Sequence, residues 1–490
     1  MATRIVPREE MEKQNYYMQC VRDFNFGRGE APTACIKTFG CQMNEHDSEK
    51  IAGMLERMGY QLVPDEIEGK YENRICDLIV FNTCCIRENA EEKVFGHIGA
   101  LKGAKQTKPE MITVVCGCMT EQQHIVDEIN RKYKNVDVVF GTHNLYRLPE
   151  FLYHALFDGR RVCELSHTEG EVSEGLPVKR DSAYKAWVTI MYGCNNFCTY
   201  CIVPYVRGRE RSRRKSDILR EIEELAASGV REITLLGQNV NSYGKDLLEN
   251  EGCGSFAELL SAICEDTAGS GLRRIRFMTS HPKDLSEELI EVMAKYPAVC
   301  DQLHLPVQSG STEILRRMNR RYTKEQYLSL VGKIRARIPQ ITLSTDIITG
   351  FPGESEEDFM ETLDLVRKIR FDMAYTFIYS PRVGTPAAAD PHPVEADRVK
   401  DRFNRLLELQ NTISREENEA CVGKTFEVLC EGLSRTNSTR FTGRTEGNKI
   451  VNFTAEAISA ADVEGKFVKV LIDSAQTWSL DGHALEWEES

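Results

Sequence analysis

The chain is organised around the stretch Tyr192-Gly193-Cys194-Asn195-Asn196-Phe197-Cys198-Thr199-Tyr200-Cys201, in which three cysteines lie at the spacing CxxxCxxC. Three thiolates on one short loop can bind three irons of a cubane iron-sulfur cluster, and without a close fourth cysteine one iron stays open to another ligand. Structural zinc sites are the main alternative, but they usually combine cysteine pairs that supply four ligands. We therefore interpret the stretch as a catalytic cluster loop.

The composition fits a chain of several globular domains. Its 490 residues are 41% hydrophobic and 28% charged, which is enough for two to four domains with their own cores. Residues 1–20 contain no apolar run, so we expect neither a signal peptide nor a membrane span. Seventeen cysteines favour a reducing, cytoplasmic location, where thiols stay available to metal. The net charge of -13 argues against indiscriminate coating of nucleic acid, although a local basic surface could still bind RNA.

Alternating strands and helices predict a parallel α/β domain over residues 33–160, preceded by an N-terminal arm, residues 1–32, without clear periodicity. Cys41, Cys84 and Cys118 each follow a predicted strand and precede a predicted helix. Because the carboxyl ends of parallel strands share one edge of a sheet, these cysteines are expected to converge there. They form a second candidate three-cysteine site.

Two further cysteines compete for places in this second site. Cys85 lies beside Cys84 and could be the ligand in its place. Cys116 continues a strand and is more typical of a core residue. Position alone favours Cys84, and Cys85 stays open as the alternative.

The central segment, residues 180–416, predicts an open or partial barrel of six strand-helix units, two short of the usual eight. Polar and glycine-rich loops follow the strands and include the cysteine loop and Gly237-Gln238-Asn239. Helix caps and turns can account for any single loop of this kind. They account poorly for the whole set, which is better explained by a cofactor site at one rim of the barrel. We expect chemistry at the carboxyl ends of these strands.

The last segment, residues 420–488, predicts a small all-β barrel because strand-like alternation is punctuated by glycine turns. Its basic residues, with Phe441 and Phe453 as candidate stacking faces, suggest an RNA-binding surface: Arg435, Arg440, Arg444 and Lys449. A second basic run follows the cysteine loop and could meet phosphates: Arg207, Arg209, Arg211, Arg213, Arg214 and Lys215. For the basic run of the small barrel, a merely solvated charged face is the alternative.

Several motifs together resemble the radical S-adenosylmethionine methylthiotransferases, and among them the MiaB type that acts on tRNA. They are Gly40-Cys41-Gln42-Met43-Asn44, Asn82-Thr83-Cys84, Gly117-Cys118, the cysteine loop, Arg207-Gly208-Arg209-Glu210, and Leu236-Gly237-Gln238-Asn239-Val240-Asn241-Ser242-Tyr243. The resemblance runs from about Thr33 to the C-terminus. It implies a methylthiotransferase domain, a partial radical barrel and a C-terminal TRAM barrel that grips tRNA.

The resemblance also assigns roles to particular residues. It implies that Cys194, Cys198 and Cys201 hold a 4Fe-4S cluster that binds S-adenosylmethionine, and that Cys41, Cys84 and Cys118 hold an auxiliary 4Fe-4S cluster that provides sulfur. Further cofactor contacts are implied at Tyr200, Gln238, Asn239 and Asp346.

The implied reaction replaces the hydrogen on carbon 2 of N(6)-dimethylallyladenosine, next to the anticodon, with a methylthio group. That hydrogen is too inert for a base, and a radical from S-adenosylmethionine removes it. A second S-adenosylmethionine gives the methyl group. The implied partners are tRNA, a low-potential electron donor of the flavodoxin or ferredoxin type, and a sulfur donor for cluster repair. The rival functions are the same chemistry on threonylcarbamoyladenosine and a metal-stabilised RNA-binding module without turnover.

Overall fold

The computed structural model describes residues 5–64, 76–85, 90–165, 170–247, 254–435, 437–455 and 463–488. The first part is a six-stranded parallel sheet in the order β2-β1-β3-β4-β5-β6. Its elements are α1 Arg8–Phe26, β1 Thr33–Thr38, α2 Gln42–Arg57, β2 Gln61–Leu62, β3 Leu78–Thr83, α3 Ala90–Thr107, β4 Ile112–Gly117, α4 Gln123–Lys132, β5 Val138–Gly141, α5 Leu148–Phe157 and β6 Val162–Glu164.

The central strands of this sheet are buried on both faces. In β3, Leu78 and Val80 belong to one apolar cluster, and Ile79 and Phe81 belong to the cluster on the opposite face. Continuous apolar runs such as this one are typical of a parallel sheet covered by helices on both sides. The predicted parallel α/β domain is confirmed.

The N-terminal segment is an ordered helix, which the sequence did not predict. Helix α1 packs on α5, with Met18 and Val21 in the apolar core. Its other buried positions are polar: Gln14 donates to Glu150 at 3.1 Å, and Asn25 donates to the carbonyl of Met58 at 2.8 Å. Because half of the buried face is polar, the segment shows no clear apolar periodicity in the sequence.

The second part is an open barrel of six main strands that run in chain order. Two parallel three-stranded groups, β7-β10-β11 and β12-β13-β14, are joined by a parallel bridge between Ile275 and Val299. The elements are β7 Lys185–Thr189, β8 Met191–Tyr192, α6 Val203–Val206, β9 Arg211–Ser212, α7 Lys215–Ala227, β10 Glu232–Leu236, α8 Phe256–Asp266, β11 Arg274–Phe277, α9 Glu287–Lys295, β12 Gln302–His304, α10 Thr312–Arg317, α11 Lys324–Arg337, β13 Thr342–Thr349, α12 Glu356–Ile369, β14 Met373–Ile378 and α13 Ala396–Glu419. The predicted partial barrel of six units is confirmed.

The third part is a closed five-stranded barrel in the order β15-β16-β17-β19-β18, as predicted. Its strands are β15 Thr425–Leu433, β16 Phe441–Thr445, β17 Ile450–Thr454, β18 Phe467–Ala475 and β19 Ser479–Trp487. Phe441 and Phe453 lie in the barrel's apolar core, stacked on each other with ring centroids 5.7 Å apart. The prediction that they offer stacking faces to RNA is therefore wrong.

The small barrel is fixed to the central part by side chains from β11. Arg274 donates to the carbonyls of Arg444 at 2.9 Å and Glu427 at 2.8 Å. Arg276 donates to the carbonyl of Thr445 at 2.9 Å.

Among the described helices, none is both long enough and apolar enough to cross a membrane.

Candidate active site

The cysteine loop lies between the short antiparallel strands β8 and β9, which close its base. Gly193 begins the loop with a φ of 73°, and a Cβ there would lie 2.0 Å from the carbonyl oxygen of Arg209, so only glycine fits. Asn319 donates to the carbonyls of Asn196 at 3.2 Å and Phe197 at 3.0 Å. The loop backbone is therefore held in place by side chains from the surrounding barrel.

Gln238 contributes to the same support. The sequence assigned it to the cofactor, but its amide oxygen accepts a hydrogen bond from the backbone N–H of Gly193. In the described structure this side chain thus positions the base of the cysteine loop.

The three loop cysteines are largely enclosed. Burial raises the pKa of the Cys194 and Cys201 thiols to about 12, and Cys198 is 8% exposed. Among the described residues, no three His, Cys, Asp or Glu side chains are placed to hold a single metal ion. Ligands of a cubane cluster each bind a different iron and need not converge on one point, so the donor set fits a cluster better than zinc.

A buried arginine faces the loop, and no local sequence pattern marks it. Arg320 donates to the hydroxyl of Tyr200 at 3.3 Å and to the carbonyl of Pro306, and its Nη1 lies 3.9 Å from Cys198 Sγ. A guanidinium at this position stabilises negative charge on the cysteine loop. Its placement depends on the turn after α10, which is distant in sequence from the cysteines.

A cavity of about 550 Å³ opens beside Cys201, and two predicted cofactor residues, Tyr200 and Asp346, line it. Asp346 also lies 3.5 Å from the Nε2 atom of His304. The apolar part of the lining is formed by Ile202, Ile348, Phe377, Ile378 and Phe403, and its other polar groups include Gln308, Ser380 and Arg382. The cavity therefore combines apolar side chains with polar and charged ones next to the cysteines.

Asn239 does not line this cavity but is buried at the adjoining rim. Its Nδ2 donates to Asp284 at 2.9 Å, while its Oδ1 has no hydrogen-bond partner. The buried hydroxyl of Ser280, on the neighbouring loop, also lacks a partner. Buried polar atoms are normally paired, so this rim suits a polar ligand such as the amino acid end of S-adenosylmethionine.

The structure brings the second set of cysteines together at the carboxyl edge of the first sheet. Asn44 Oδ1 lies 3.9 Å from Cys41 Sγ and 3.8 Å from Cys118 Sγ. Gly40 packs directly on Cys84, because a Cβ on this glycine would be 2.7 Å from the Cys84 Cβ. Three distant cysteines thus surround one small volume, with thiols that suit a second cluster.

Cys85 is also buried at this place. It belongs to a small apolar cluster with Cys118, Ile202 and Val206. A hydrogen bond with Cys85 and the charge of Arg207 lower the pKa of Cys118 to about 7, against the opposing effect of burial. Cys116 is a core residue of the sheet, as predicted.

Ile202 links the two cysteine sites. It lines the large cavity beside Cys201 and is also part of the cluster around Cys118. Helix α6 follows it and contacts the turn after Cys118. Thr142, which follows β5, donates to the carbonyl of Val206 at 3.0 Å. The two sites are therefore neighbours separated by a thin apolar wall.

The structure corrects part of the predicted basic run after the cysteine loop. Arg207 is 5% exposed and directs its guanidinium to Cys118 and Asp47, so it does not reach RNA. Arg211 and Arg213 are buried as well, and Arg213 pairs with Glu174 and Glu221. Arg209 is exposed and lies over the ring of Phe197, 4.3 Å from its centroid.

The predicted RNA residues of the small barrel differ in their surroundings. Lys449 is 15% exposed and pairs with Asp372 at 2.7 Å, so it joins the barrel to the central part. Arg440 pairs with Asp481, and Arg444 lies 3.4 Å from Glu431. Arg435 is exposed at the tip after β15. Whether a basic residue of the small barrel is buried depends on its contact with the central part, and the local sequence does not reveal that contact.

The fold and this site define a radical S-adenosylmethionine enzyme with an added sheet domain and a small C-terminal barrel. Three family models match this chain: the radical SAM superfamily over residues 188–366, the uncharacterized protein family UPF0004 over 33–141, and the TRAM domain over 419–485. The solved structure of the radical S-adenosylmethionine methyltransferase TsrM from Kitasatospora setae has a TM-score of 0.52 at 17% identity, covering 73% of this chain and 77% of that one. This likeness shows the shared fold alone.

Relatives of known name narrow the class. The chain is 53% identical over 478 residues to the tRNA-2-methylthio-N(6)-dimethylallyladenosine synthase of Acetivibrio thermocellus, covering 97% of this chain and 96% of the relative. It is 50% identical over 481 residues to the synthase of the same name from Clostridioides difficile, covering 97% of each. The chain belongs to the family of tRNA-2-methylthio-N(6)-dimethylallyladenosine synthases.

Proposed function

We propose that this chain is a tRNA methylthiotransferase that converts N(6)-dimethylallyladenosine next to the anticodon to its 2-methylthio derivative. The observation that carries the proposal is the cavity of about 550 Å³ beside Cys201, whose lining includes Ile202, Ile348 and Phe377. A dimethylallyl group is apolar and can pack against these side chains. The relatives that are 50% and 53% identical over 97% of this chain are named for the dimethylallyl base, so this base is the favoured substrate.

The two sets of cysteines would hold the two 4Fe-4S clusters of this family. Cys194, Cys198 and Cys201 would bind the cluster that engages S-adenosylmethionine, and Cys41, Cys84 and Cys118 would bind the auxiliary cluster. When bound, the first cluster supplies the electron that splits S-adenosylmethionine into methionine and a radical able to take an inert hydrogen, and the auxiliary cluster supplies sulfur. A second S-adenosylmethionine supplies the methyl group.

The side chains around the cavity orient the reactants. Tyr200 is held by Arg320 at 3.3 Å and presents its ring to the cavity, where it would flank the adenine of the cofactor. Asp346 would accept hydrogen bonds from the ribose hydroxyls. Asn239 would use its unpaired Oδ1 for the cofactor's amino group. The apolar side chains Ile348 and Phe377 line the cavity and would pack against the apolar parts of the reactants.

Contact with tRNA would come from exposed cations rather than from the buried ones. Arg209 beside the cysteine loop and Arg435 on the small barrel are both exposed. Exposed arginines of this kind bind phosphates and contribute a salt-dependent share of the affinity. Arg440 and Arg444, half-exposed and near acidic partners, would contribute less.

Two further partners belong to the proposal. A low-potential carrier of the flavodoxin or ferredoxin type would deliver electrons to the loop cluster, and a sulfur donor would rebuild the auxiliary cluster after turnover. Free thiols across the described chain fit a reducing cytoplasm, where tRNA is also present.

Nucleoside analysis of tRNA tests the substrate. Deletion of the gene should remove 2-methylthio-N(6)-dimethylallyladenosine from a liquid-chromatography digest, with the unthiolated base accumulating, and the wild-type gene should restore it. Loss of the threonylcarbamoyl analogue with the dimethylallyl product unchanged would show that the substrate is the other adenosine. Purified protein that contained zinc and no iron would instead favour a binding module.

A further inference from the structure

One arginine from the central barrel completes the environment of the auxiliary cysteines. The Nε of Arg207 donates to Cys118 Sγ at 3.2 Å. Its Nη2 donates to Asn44 Oδ1 and to Asp47 Oδ2, each at 2.8 Å. All three acceptors belong to the first sheet domain, whereas Arg207 follows the cysteine loop of the barrel. The auxiliary site is thus built from two parts of the chain.

Burying this cation is costly, and the ion pair alone does not account for the arrangement. A buried guanidinium loses its hydration, and one carboxylate, Asp47, offsets its charge. The planar fork of arginine presents several N–H groups in fixed directions, and here one of them points at a cysteine sulfur. Hydrogen bonds to the sulfurs of an iron-sulfur cluster raise its reduction potential and hold its ligands in place.

Arg207 also connects this sulfur to the cofactor cavity. Its backbone N–H donates to the carbonyl of Val203 at 2.8 Å, which closes the single turn of α6. Ile202, immediately before that turn, lines the cavity. The carbonyl of Arg207 accepts a hydrogen bond from Arg211 at 3.2 Å, so the backbone on its other side is fixed as well. The position of Cys118 is therefore coupled to the wall between the two sites.

We propose that Arg207 is a positioning residue of the auxiliary site, which holds Cys118 as a ligand across the domain boundary and makes the auxiliary cluster easier to reduce and harder to strip of iron. This role rests on the proposed function, since it requires the auxiliary cluster. It adds a residue of the radical barrel to a site otherwise formed by the sheet domain.

The test isolates the auxiliary cluster by changing Cys194, Cys198 and Cys201 together to alanine. In this background, Arg207→Gln and Arg207→Lys are compared with the parent by a redox titration followed by electron paramagnetic resonance, and by iron loss to a chelator. Arg207→Gln should lower the midpoint potential and lose iron several-fold faster. Arg207→Lys keeps the charge without the directed hydrogen bond, so its midpoint potential and its rate of iron loss should lie between those of the parent and Arg207→Gln. Arg316→Gln, at an exposed arginine paired with Glu313, should match the parent.

The outcomes separate this inference from the proposed function. Unchanged potential and iron loss in both Arg207 variants would overturn the role of Arg207 while leaving the enzyme's function standing. A parent protein that holds no auxiliary cluster would overturn the function itself. If Arg207→Gln does not fold, the test relies on Arg207→Lys. A midpoint potential equal to that of the parent would then contradict the proposal, and a lower midpoint potential would support it.

Discussion

The hydroxyl of Tyr200 accepts a hydrogen bond from Arg320 at 3.3 Å, which ties the cysteine loop to the turn that follows α10. The same arginine lies 3.9 Å from Cys198, so one buried cation touches both the candidate stacking residue and a candidate cluster ligand. The ring of Tyr200 is therefore held against the cavity before any ligand binds.

The first prediction concerns this ring. Tyr200→Ala should weaken binding of S-adenosylmethionine about 5- to 10-fold, because a stacking contact contributes about 1 kcal/mol or slightly more. Tyr200→Phe keeps the ring and should stay within about threefold of wild type on the same reasoning. Equilibrium binding to the reconstituted protein measures both. Equal losses in the two variants would show that the hydroxyl, and not the ring, matters.

The two cysteine sets should fail in different ways. Changing Cys194, Cys198 and Cys201 to alanine should abolish formation of 5′-deoxyadenosine, whereas changing Cys41, Cys84 and Cys118 should spare it and stop thiolation of tRNA. Chromatography of the nucleoside products measures both reactions. If both triple variants lost cleavage and thiolation together, the assigned division of labour would be wrong.

Single changes at the adjacent cysteines decide which is the ligand. Cys84→Ser should reduce iron and sulfide to about half of the two-cluster value, because one of two clusters loses a ligand. Cys85→Ser should keep both clusters, since we assign Cys85 to packing against Cys118. Iron and sulfide analysis after anaerobic reconstitution checks this. The opposite result would move the ligand to Cys85, and full content in both would mean that either can serve.

Lys449 should matter for stability rather than for RNA. Lys449→Met removes the ion-pair partner of Asp372 at 2.7 Å and should lower the free energy of unfolding by about 1–3 kcal/mol. Denaturant titration measures the loss.

Arg435→Ala is the matched variant for this prediction, because Arg435 is basic, exposed and on the same barrel. It should leave stability unchanged but weaken tRNA binding and reduce the salt dependence of the affinity by about one phosphate contact. Weaker tRNA binding by Lys449→Met with normal stability would return Lys449 to the RNA surface.

Glu354 should make stability depend on pH. It accepts hydrogen bonds from Gly350 N–H at 2.9 Å and Arg402 at 3.0 Å, yet burial raises its pKa from 4.5 to about 7. Between these values the folded protein binds a proton that the unfolded chain has released. The stabilisation of the folded protein by this proton on Glu354 is therefore fully present below about pH 4.5 and is lost as the pH rises through about 7.

Glu354→Gln removes this titration. Its free energy of unfolding should become larger relative to that of wild type as the pH rises from acidic to mildly alkaline, and denaturant titration across that range measures both. Glu357→Gln, at an exposed position in the first turn of α12, is the control and should show no such trend. A difference that stays constant across this range would show that burial does not raise the pKa of Glu354.

Local patterns in the sequence were sufficient for the architecture. Strand-helix alternation and glycine-marked turns predicted both α/β parts and the small barrel, because periodicity reports which faces are buried. They failed for α1, where Gln14 and Asn25 occupy buried positions and find partners far along the chain. Arg320 was missed for a related reason, since nothing near it in sequence marks it as buried.

The spacing of Cys194, Cys198 and Cys201 is enough to place them on one loop, since it leaves the backbone little choice. Strand-helix alternation is likewise enough to place Cys41, Cys84 and Cys118 after parallel strands. No local pattern shows that Ile202 is the wall between the two sites, that Arg207 is buried against Cys118, or that Lys449 pairs with Asp372, because these contacts form between distant parts of the chain. A charged side chain has the same local sequence whether a distant carboxylate or water surrounds it, and that choice is made when the domains pack together.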